Sequence, residues 1–385
     1  METIRFGLIG LGLMGREFAS AAARWTHLPD LEVRPEIVAL CSRNLNSLEW
    51  FRNTCPAVKQ VTRDYREMLA NPEVDAIYCA VPHDQHRRMY CETVEAGKHL
   101  FGEKPFGIDM KTNREINRVI EKHPDVLVRC SSQFPFTPAA QYLCAMIEEG
   151  RLGEIIEVEA GFLHSSDLNP EKPINWKRSI ATNGEYGCMG DLGMHVCHIP
   201  FRAGWVPLDV RAILSNIIPT RPDSQGKQVP CETWDNATLL CRTRDDVTGS
   251  TFPMTLKMQR IAPGESNTWY LTVLGTRSSV RISTRNINVV HVLEYDGRKQ
   301  NWETIDIGHA PAFKSITGAI FEFGFSDAIL QMWGAYLYEL QQGKPLSRFA
   351  GCVTPAEVAA SHRLFTAALQ SQKDATTVGI PPQQD

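Results

Sequence analysis

Three short constellations in this 385-residue chain combine residue types and spacings capable of chemistry. Gly10-Leu11-Gly12-Leu13-Met14-Gly15 follows an apolar run at 4–9 and opens a helical pattern at 16–25. In that setting G-x-G-x-x-G reads as a dinucleotide-binding turn. The first glycine permits the tight turn, the second lets the backbone approach a pyrophosphate, and the third lets helix and strand pack closely. Asp191 and His195 lie four apart, on one face of a helix whose flanking Leu192, Met194, Val196 and Ile199 make it apolar nearly all round. The pair is therefore expected to be buried, with the carboxylate fixing the tautomer and orientation of the imidazole; a satisfied structural pair is the alternative. Glu103-Lys104-Pro105 follows a strand-like run at 99–102. Ligand crevices of open α/β sheets lie at the carboxyl ends of strands, so Lys104 is well placed for chemistry, and Pro105 biases it toward an extended backbone.

The end of the second strand should choose between the nicotinamide cofactors. A site for NAD(H) would usually carry an acidic residue there, bonding the ribose 2′-hydroxyl. This chain has Cys41-Ser42-Arg43-Asn44, with no carboxylate to repel a 2′-phosphate and with Arg43 able to pair with one. NADP(H) is therefore favoured, and NAD(H), with Ser42 bonding the ribose, is the alternative. Cys188, Asp191, His195, Cys197 and His198 are dense in metal-ligand types. They lack the second spaced pair of a zinc site, so no metal is expected.

The elements that must position these residues fall into two patterns. Residues 1–132 alternate apolar runs (4–9, 36–41, 58–61, 76–81, 99–102, 126–131) with helical patterns (16–25, 64–69 capped by Asp64, 83–95, 110–122). That is the signature of a doubly wound parallel sheet. Residues 133–385 begin with a helix at 138–149, a long strand at 154–163, a loop at 165–183 and a helix at 187–202. Strand-like runs follow at 210–217, 236–242, 251–259, 268–274, 279–283 and 288–294 without crossover helices, which predicts a large, mostly antiparallel open sheet in an α+β domain. Helices are expected at 321–342 and 355–369, and a frayed polar tail at 379–385.

Composition limits the function classes. With 43% hydrophobic and 22% charged residues the chain is globular, and a net charge of −4 argues against a general nucleic-acid binder. Eleven cysteines, an odd number without C-x-x-C spacing, argue against a disulfide scaffold and for a reducing compartment. No uncharged apolar stretch approaches 18 residues, so no membrane partner is expected, and the apolar 6–15 segment reads as strand and turn rather than as a secretory signal.

Taken in order, the Gly10–Gly15 turn after a strand, Glu103-Lys104-Pro105 and Asp191-x-Gly193-x-His195 resemble the Gfo/Idh/MocA oxidoreductases, which include glucose-fructose oxidoreductase and inositol dehydrogenases. Asn71-Pro72-Glu73-Val74-Asp75-Ala76, Ala80-Val81-Pro82 with His86, and Glu92 through Ala96-Gly97-Lys98-His99 extend the likeness over nearly the whole chain. The resemblance implies a Rossmann domain, a C-terminal α/β domain with an open sheet, and hydride transfer between a hydroxyl-bearing carbon and a nicotinamide. It places Val81, Pro82, His86, Glu103 and Lys104 at the cofactor. Lys104 would bond the reacting hydroxyl, His195 would act as general acid/base, and Asp191 would orient His195 or bond a second hydroxyl. Which of Lys104 and His195 takes the proton stays open.

The substrate implied is a polyol: a sugar, sugar derivative or cyclitol. Trp176, Arg178 and Tyr186 are candidate substrate contacts, and Arg260 and Asn267 weaker ones. Two departures bear on the substrate: Gln133-Phe134-Pro135-Phe136 lacks an arginine common in the family, and His198 stands where Asp is frequent. An NAD-dependent glycosidase with transient redox chemistry and a non-catalytic dinucleotide sensor are the alternatives. A cytoplasmic homo-oligomer, dimer or tetramer, is expected, its copies covering apolar residues of 236–242 and 251–259.

Overall fold

The structure is a computed structural model and describes residues 1–44, 48–308, 311–318 and 320–382. The first half alternates strand and helix: β1 (Glu2–Ile9), α1 (Leu13–Ala23), β2 (Val33–Cys41), α2 (Leu48–Thr54), β3 (Gln60–Thr62), α3 (Tyr65–Leu69), β4 (Ala76–Cys79), α4 (His86–Glu95), β5 (His99–Gly102), α5 (Met110–Glu121) and β6 (Val128–Cys130). Six strands form one parallel sheet in the order β3-β2-β1-β4-β5-β6. The runs 6–9, 37–41, 76–79 and 100–102 are buried without alternation, as helices covering both sides demand. The strand order reverses between β1 and β4, so the crevice that binds ligands in such sheets opens at their carboxyl ends. Asp64 caps α3 as its sequence position predicts, accepting a hydrogen bond from the Arg66 N–H at 3.0 Å.

The second half carries α6 (Pro138–Glu148), β7 (Ile155–Leu163), α7 (Ile180–Asn183), α8 (Cys188–Arg202), β8 (Trp205–Ser215), the ribbon β9 (Thr220–Pro222) and β10 (Gln228–Pro230), β11 (Asn236–Asp245), β12 (Thr251–Gln259), β13 (Thr268–Gly275), β14 (Ser278–Ser283), β15 (Asn286–Glu294), β16 (Glu303–Asp306), α9 (Phe325–Gln342), α10 (Pro355–Asp374) and β17 (Val378–Gly379). Nine strands form one sheet in the order β16-β15-β14-β13-β7-β12-β11-β8-β17, antiparallel except where β7 meets β12. Alternation along β12 buries Phe252, Met254, Leu256 and Met258. The fold class expected from the sequence is thus the one observed. In the segment expected as a loop, residues 176–178 form a short 3-10 turn and α7 follows. The tail expected to fray instead pairs with β8, Val378 opposite Val210, and Ile380 N–H bonds Leu208 O at 2.8 Å; residues 383–385 lie outside the described residues.

The chain divides into two compact units, one of Met1–Gly107, Lys111–Phe136 and Ala310–Pro355, the other of Ile108–Met110, Thr137–His309 and Ala356–Asp385. A simple break after residue 132 is therefore not what the structure has: α9 returns to the first unit. The cause is aromatic packing. Trp333 and Tyr336 of α9 lie among Phe6, Phe18, Tyr78 and Phe101, with the Trp333 and Phe18 ring centroids 3.8 Å apart. All six rings are buried. Glu339, farther along α9, forms a two-pronged ion pair with Arg129, its Nε bond 2.9 Å long. Replacing Trp333 by Ala should destabilise this unit by about 3–5 kcal/mol, and urea unfolding followed by circular dichroism would measure the loss.

Candidate functional site

In the first unit, β1 runs into Gly10, whose φ is +96° and where a Cβ would lie 2.1 Å from the Ala80 carbonyl oxygen. No other residue fits there. A Cβ on Gly15 would lie 2.5 Å from the Gly10 carbonyl oxygen, so only glycine lets α1 start this close to the strand. A Cβ on Gly12 would meet nothing within 4 Å. That open side leaves room for a ligand's phosphates at the start of α1, a helix with no side-chain cap and no acidic residue in its first turn. The donor set thus fits a pyrophosphate.

A cavity of about 380 Å³ lies at the carboxyl ends of β1, β2 and β4. Of the residues expected at the cofactor, Gly10, Ser42, Arg43, Val81 and Pro82 line it. Arg63, Arg66 and Arg88 also line it and were not anticipated, because they sit on α3, α4 and a turn rather than in the glycine motif. His86 is a correction: it is buried, stacks on Tyr90 at 4.6 Å, and its Nε2 bonds the Val81 carbonyl oxygen at 3.1 Å, so it props the Val81 turn from beneath. Leu11 belongs to the buried core and Leu13 is exposed.

Glu103 is likewise held by the protein. Its Oε1 accepts hydrogen bonds from the Tyr78 and Ser131 hydroxyls, both at 2.8 Å, while the Tyr90 hydroxyl donates to its carbonyl oxygen at 2.7 Å. Burial, reinforced by the Glu103 carboxylate, holds the Tyr78 phenol protonated far above its usual range. The backbone that presents the half-buried Lys104 is thereby fixed by three buried hydroxyls. The Lys104–Pro105 peptide is cis.

In the second unit, α8 lies on the apolar face of the nine-stranded sheet. Gly193 lets α10 pack closely on α8, since a Cβ there would lie 2.3 Å from the Phe365 ring. Asp191 and His195 are both buried. Trp269 donates from its indole nitrogen to the His195 carbonyl oxygen at 2.9 Å, and the Phe162 ring meets the imidazole edge-on at 5.5 Å. Asp191 Oδ2 accepts from Lys177 Nζ at 3.0 Å and from the Arg260 guanidinium. Arg260 also reaches Asp167 Oδ2 at 3.3 Å; Arg178 bridges Asp167 and Asp235; Lys172 bonds Asp167 at 2.8 Å. Burial alone would raise the Asp167 carboxyl, but Lys172, Arg178 and Arg260 hold it at about 2. Burial likewise opposes the Arg260 charge, and Asp191 and Asp167 more than offset it.

The pocket residues expected on the preceding loop are placed differently. Arg178 is buried with its charge spent on Asp167 and Asp235, which corrects its assignment as a substrate contact. Tyr186 is also buried, its hydroxyl bonded to Thr366 Oγ1 at 2.6 Å, and serves packing against α10. Trp176 is half-buried, with Lys177 Nζ 5.7 Å from its ring centre. Lys177, between two of the candidates, reaches Asp191, and so does Arg260 from the end of β12; nothing in the sequence around Lys177 signals that contact.

His198 lies 3.8 Å from Glu357, and burial, aided by Arg202, pushes its imidazole down to about 3. Among the described residues no three His, Cys, Asp or Glu side chains gather as a metal site would need. No helix among them is long and apolar enough to cross a membrane.

A parallel six-stranded sheet with a glycine turn at its topological switch, followed by a helix and open sheet holding a buried Asp–His pair, defines a Rossmann-type oxidoreductase. The chain belongs to the Gfo/Idh/MocA family: residues 4–130 match the model described as oxidoreductase family, NAD-binding Rossmann fold, and residues 140–281 match the GFO/IDH/MocA C-terminal domain. Levoglucosan dehydrogenase of Pseudarthrobacter phenanthrenivorans is 26% identical over 308 residues, 73% of either chain. A solved levoglucosan dehydrogenase in complex with NADH and L-sorbose superposes with a TM-score of 0.87 at 20% identity, over 100% of both chains. The myo-inositol 2-dehydrogenase of Lactobacillus plantarum gives 0.70 at 21% identity, over 99% of this chain and 100% of that one. At these identities the two structures establish the shared fold.

Two measurements test the electrostatics of the second unit. Arg260→Met, which takes a buried cationic partner from both Asp191 and Asp167, should cost about 3–5 kcal/mol in denaturant unfolding. His198 is neutral when folded but takes a proton once unfolded below about pH 6.5, so stability should fall as pH drops from there toward about 3. His198→Leu should flatten that slope in thermal melts across the same range.

Proposed function

We propose that this chain is a nicotinamide-dependent dehydrogenase or reductase that moves a hydride between a hydroxyl-bearing carbon of a sugar, sugar derivative or cyclitol and NADP(H), with NAD(H) the less favoured cofactor. The observation that carries the reading is the buried Asp191, one helical turn before His195 and held by Arg260 and Lys177. So costly an arrangement, inside the family's C-terminal domain, fits a site that must keep a carboxylate ionised beside an imidazole. The levoglucosan dehydrogenase likeness supports a carbohydrate as the class of substrate.

When bound, the nicotinamide supplies or accepts the hydride; the chain supplies the rest. Gly10, Gly12 and Gly15 admit the pyrophosphate, Ser42 and Arg43 meet the adenosine ribose, and Val81 and Pro82 line the wall. Lys104, steadied through Glu103, bonds the reacting hydroxyl oxygen and stabilises negative charge as its proton departs. His195 acts as acid or base, with Asp191 orienting its ring or bonding a second hydroxyl. Proton removal near neutral pH suits either the imidazole or a lysine with a lowered pKa, and the pH–rate profiles of the two variants decide between them. Eleven cysteines, ten of them buried and none in a disulfide among the described residues, are consistent with the cytoplasm. The part-exposed face of the nine-stranded sheet, where Leu240 and Ile213 are exposed, offers a surface for a second copy.

The test is a screen of sugars and inositols, levoglucosan and myo-inositol included, with NAD+ and NADP+, read at the nicotinamide absorbance. At least one polyol should be turned over, and Lys104→Ala and His195→Ala should each lower kcat by about 10²–10⁴. Near-wild-type turnover in both variants would refute the assignment.

A further inference from the structure

We propose that Arg63, from the turn after β3, forms with Arg43 the subsite that grips the 2′-phosphate of NADP(H). The inference rests on the dinucleotide-binding reading above and adds a residue that the glycine motif and the end of β2 do not point to. Strand register brings the two arginines together. Cys41 of β2 pairs with Thr62 of β3, and Ser42 N–H bonds the Thr62 carbonyl oxygen at 3.3 Å, so the chain leaves two adjacent strands at the same level. Arg43 and Arg63 follow immediately, and both line the 380 Å³ cavity. Ser42 closes the turn that carries Arg43, its hydroxyl donating to Asn44 O at 3.0 Å and accepting from Asn44 N–H at 3.2 Å.

The charges on this wall are unbalanced. Four arginines (43, 63, 66 and 88) line the cavity against one carboxylate, Asp64. Arg66 is answered by Glu92 at 2.8 Å, and Arg88 bonds Gln85 at 3.0 Å and lies 5.8 Å from the Tyr65 ring centre. Asp64 spends Oδ1 on the Arg66 N–H as the cap of α3. Among the described residues, neither Arg43 nor Arg63 has a hydrogen-bond or ion-pair partner. A pyrophosphate at the glycine turn is served by backbone N–H groups and the start of α1, so it does not account for this pair. A phosphate monoester, with a charge of about −1.5 to −2 and three acceptor oxygens, matches two planar guanidinium groups, each able to bond it in a two-pronged fashion. A ribose 2′-hydroxyl is uncharged and has a proton to donate, which neither arginine can accept.

The experiment is isothermal titration of the full chain with NADP+ and with NAD+, without any substrate. Losing one charged hydrogen-bond donor set should weaken NADP+ binding by about 10- to 100-fold in Arg63→Ala, and NAD+ binding should stay within about two-fold. Arg43→Ala should weaken NADP+ binding to a similar degree. Both side chains are exposed, and NAD+ binding reports that the variant has folded. Unchanged NADP+ binding in Arg63→Ala, or an equal loss for both cofactors, overturns the subsite while leaving the dinucleotide reading standing. A wild-type chain that binds NAD+ as tightly as NADP+ overturns the subsite and the NADP(H) preference together. Binding of neither cofactor takes down the proposed function itself.

Discussion

Asp191 is buried against the guanidinium of Arg260, with Lys177 as a second cation, and much of the second unit is arranged around that contact. A lone ionised carboxyl in such surroundings would cost several kcal/mol and would protonate instead. Arg260 removes that cost but brings its own charge, which needs Asp167; Asp167 in turn is shared with Arg178, and Arg178 ends on Asp235. Each charge is held by the next, with exposure rising only at Lys172 and Lys177, where the chain of charges meets water. The loop before α8, the end of β12 and the start of β11 are tied together by these bonds. The helix that carries His195 therefore rests on an electrostatic frame as well as on packing.

The first unit solves a different problem with neutral groups. Glu103 is fixed by tyrosine and serine hydroxyls rather than by cations. Positive charge is concentrated instead on the far wall of the cavity, at Arg43, Arg63, Arg66 and Arg88. Asp167, Asp191, Asp235, Arg178 and Arg260 of the second unit are thus paired with one another in the interior, whereas the first unit lines its cavity with four arginines.

Much of this was legible in the sequence wherever a pattern is local. Strands buried on both faces read as continuous apolar runs, β12 reads as alternation, and Asp64 reads as a helix cap because capping depends on neighbours two residues away. Glycines 10, 12 and 15 announce themselves because only backbone geometry can require them. Illegible were features set by distant partners. Nothing around Arg178 distinguishes it from Lys177, yet one is spent on Asp235 and the other reaches Asp191. His86 looks like a ligand contact until Val81 is found above it. Short elements such as β9, β10 and β16 are below the length at which alternation can be seen, and β17 exists only because β8 offers it an edge.

The return of α9 to the first unit has a consequence for how the protein is made. Trp333 and Tyr336 complete a core by packing on Phe6, Phe18, Tyr78 and Phe101, four rings that come from the first 101 residues. At about 5–20 residues per second, a ribosome needs roughly 10–40 s after finishing β6 to deliver α9. For that interval the N-terminal sheet emerges with a ring-lined socket standing open, and nascent chains of this protein are candidates for chaperone attention long after their first domain-sized segment has been synthesised.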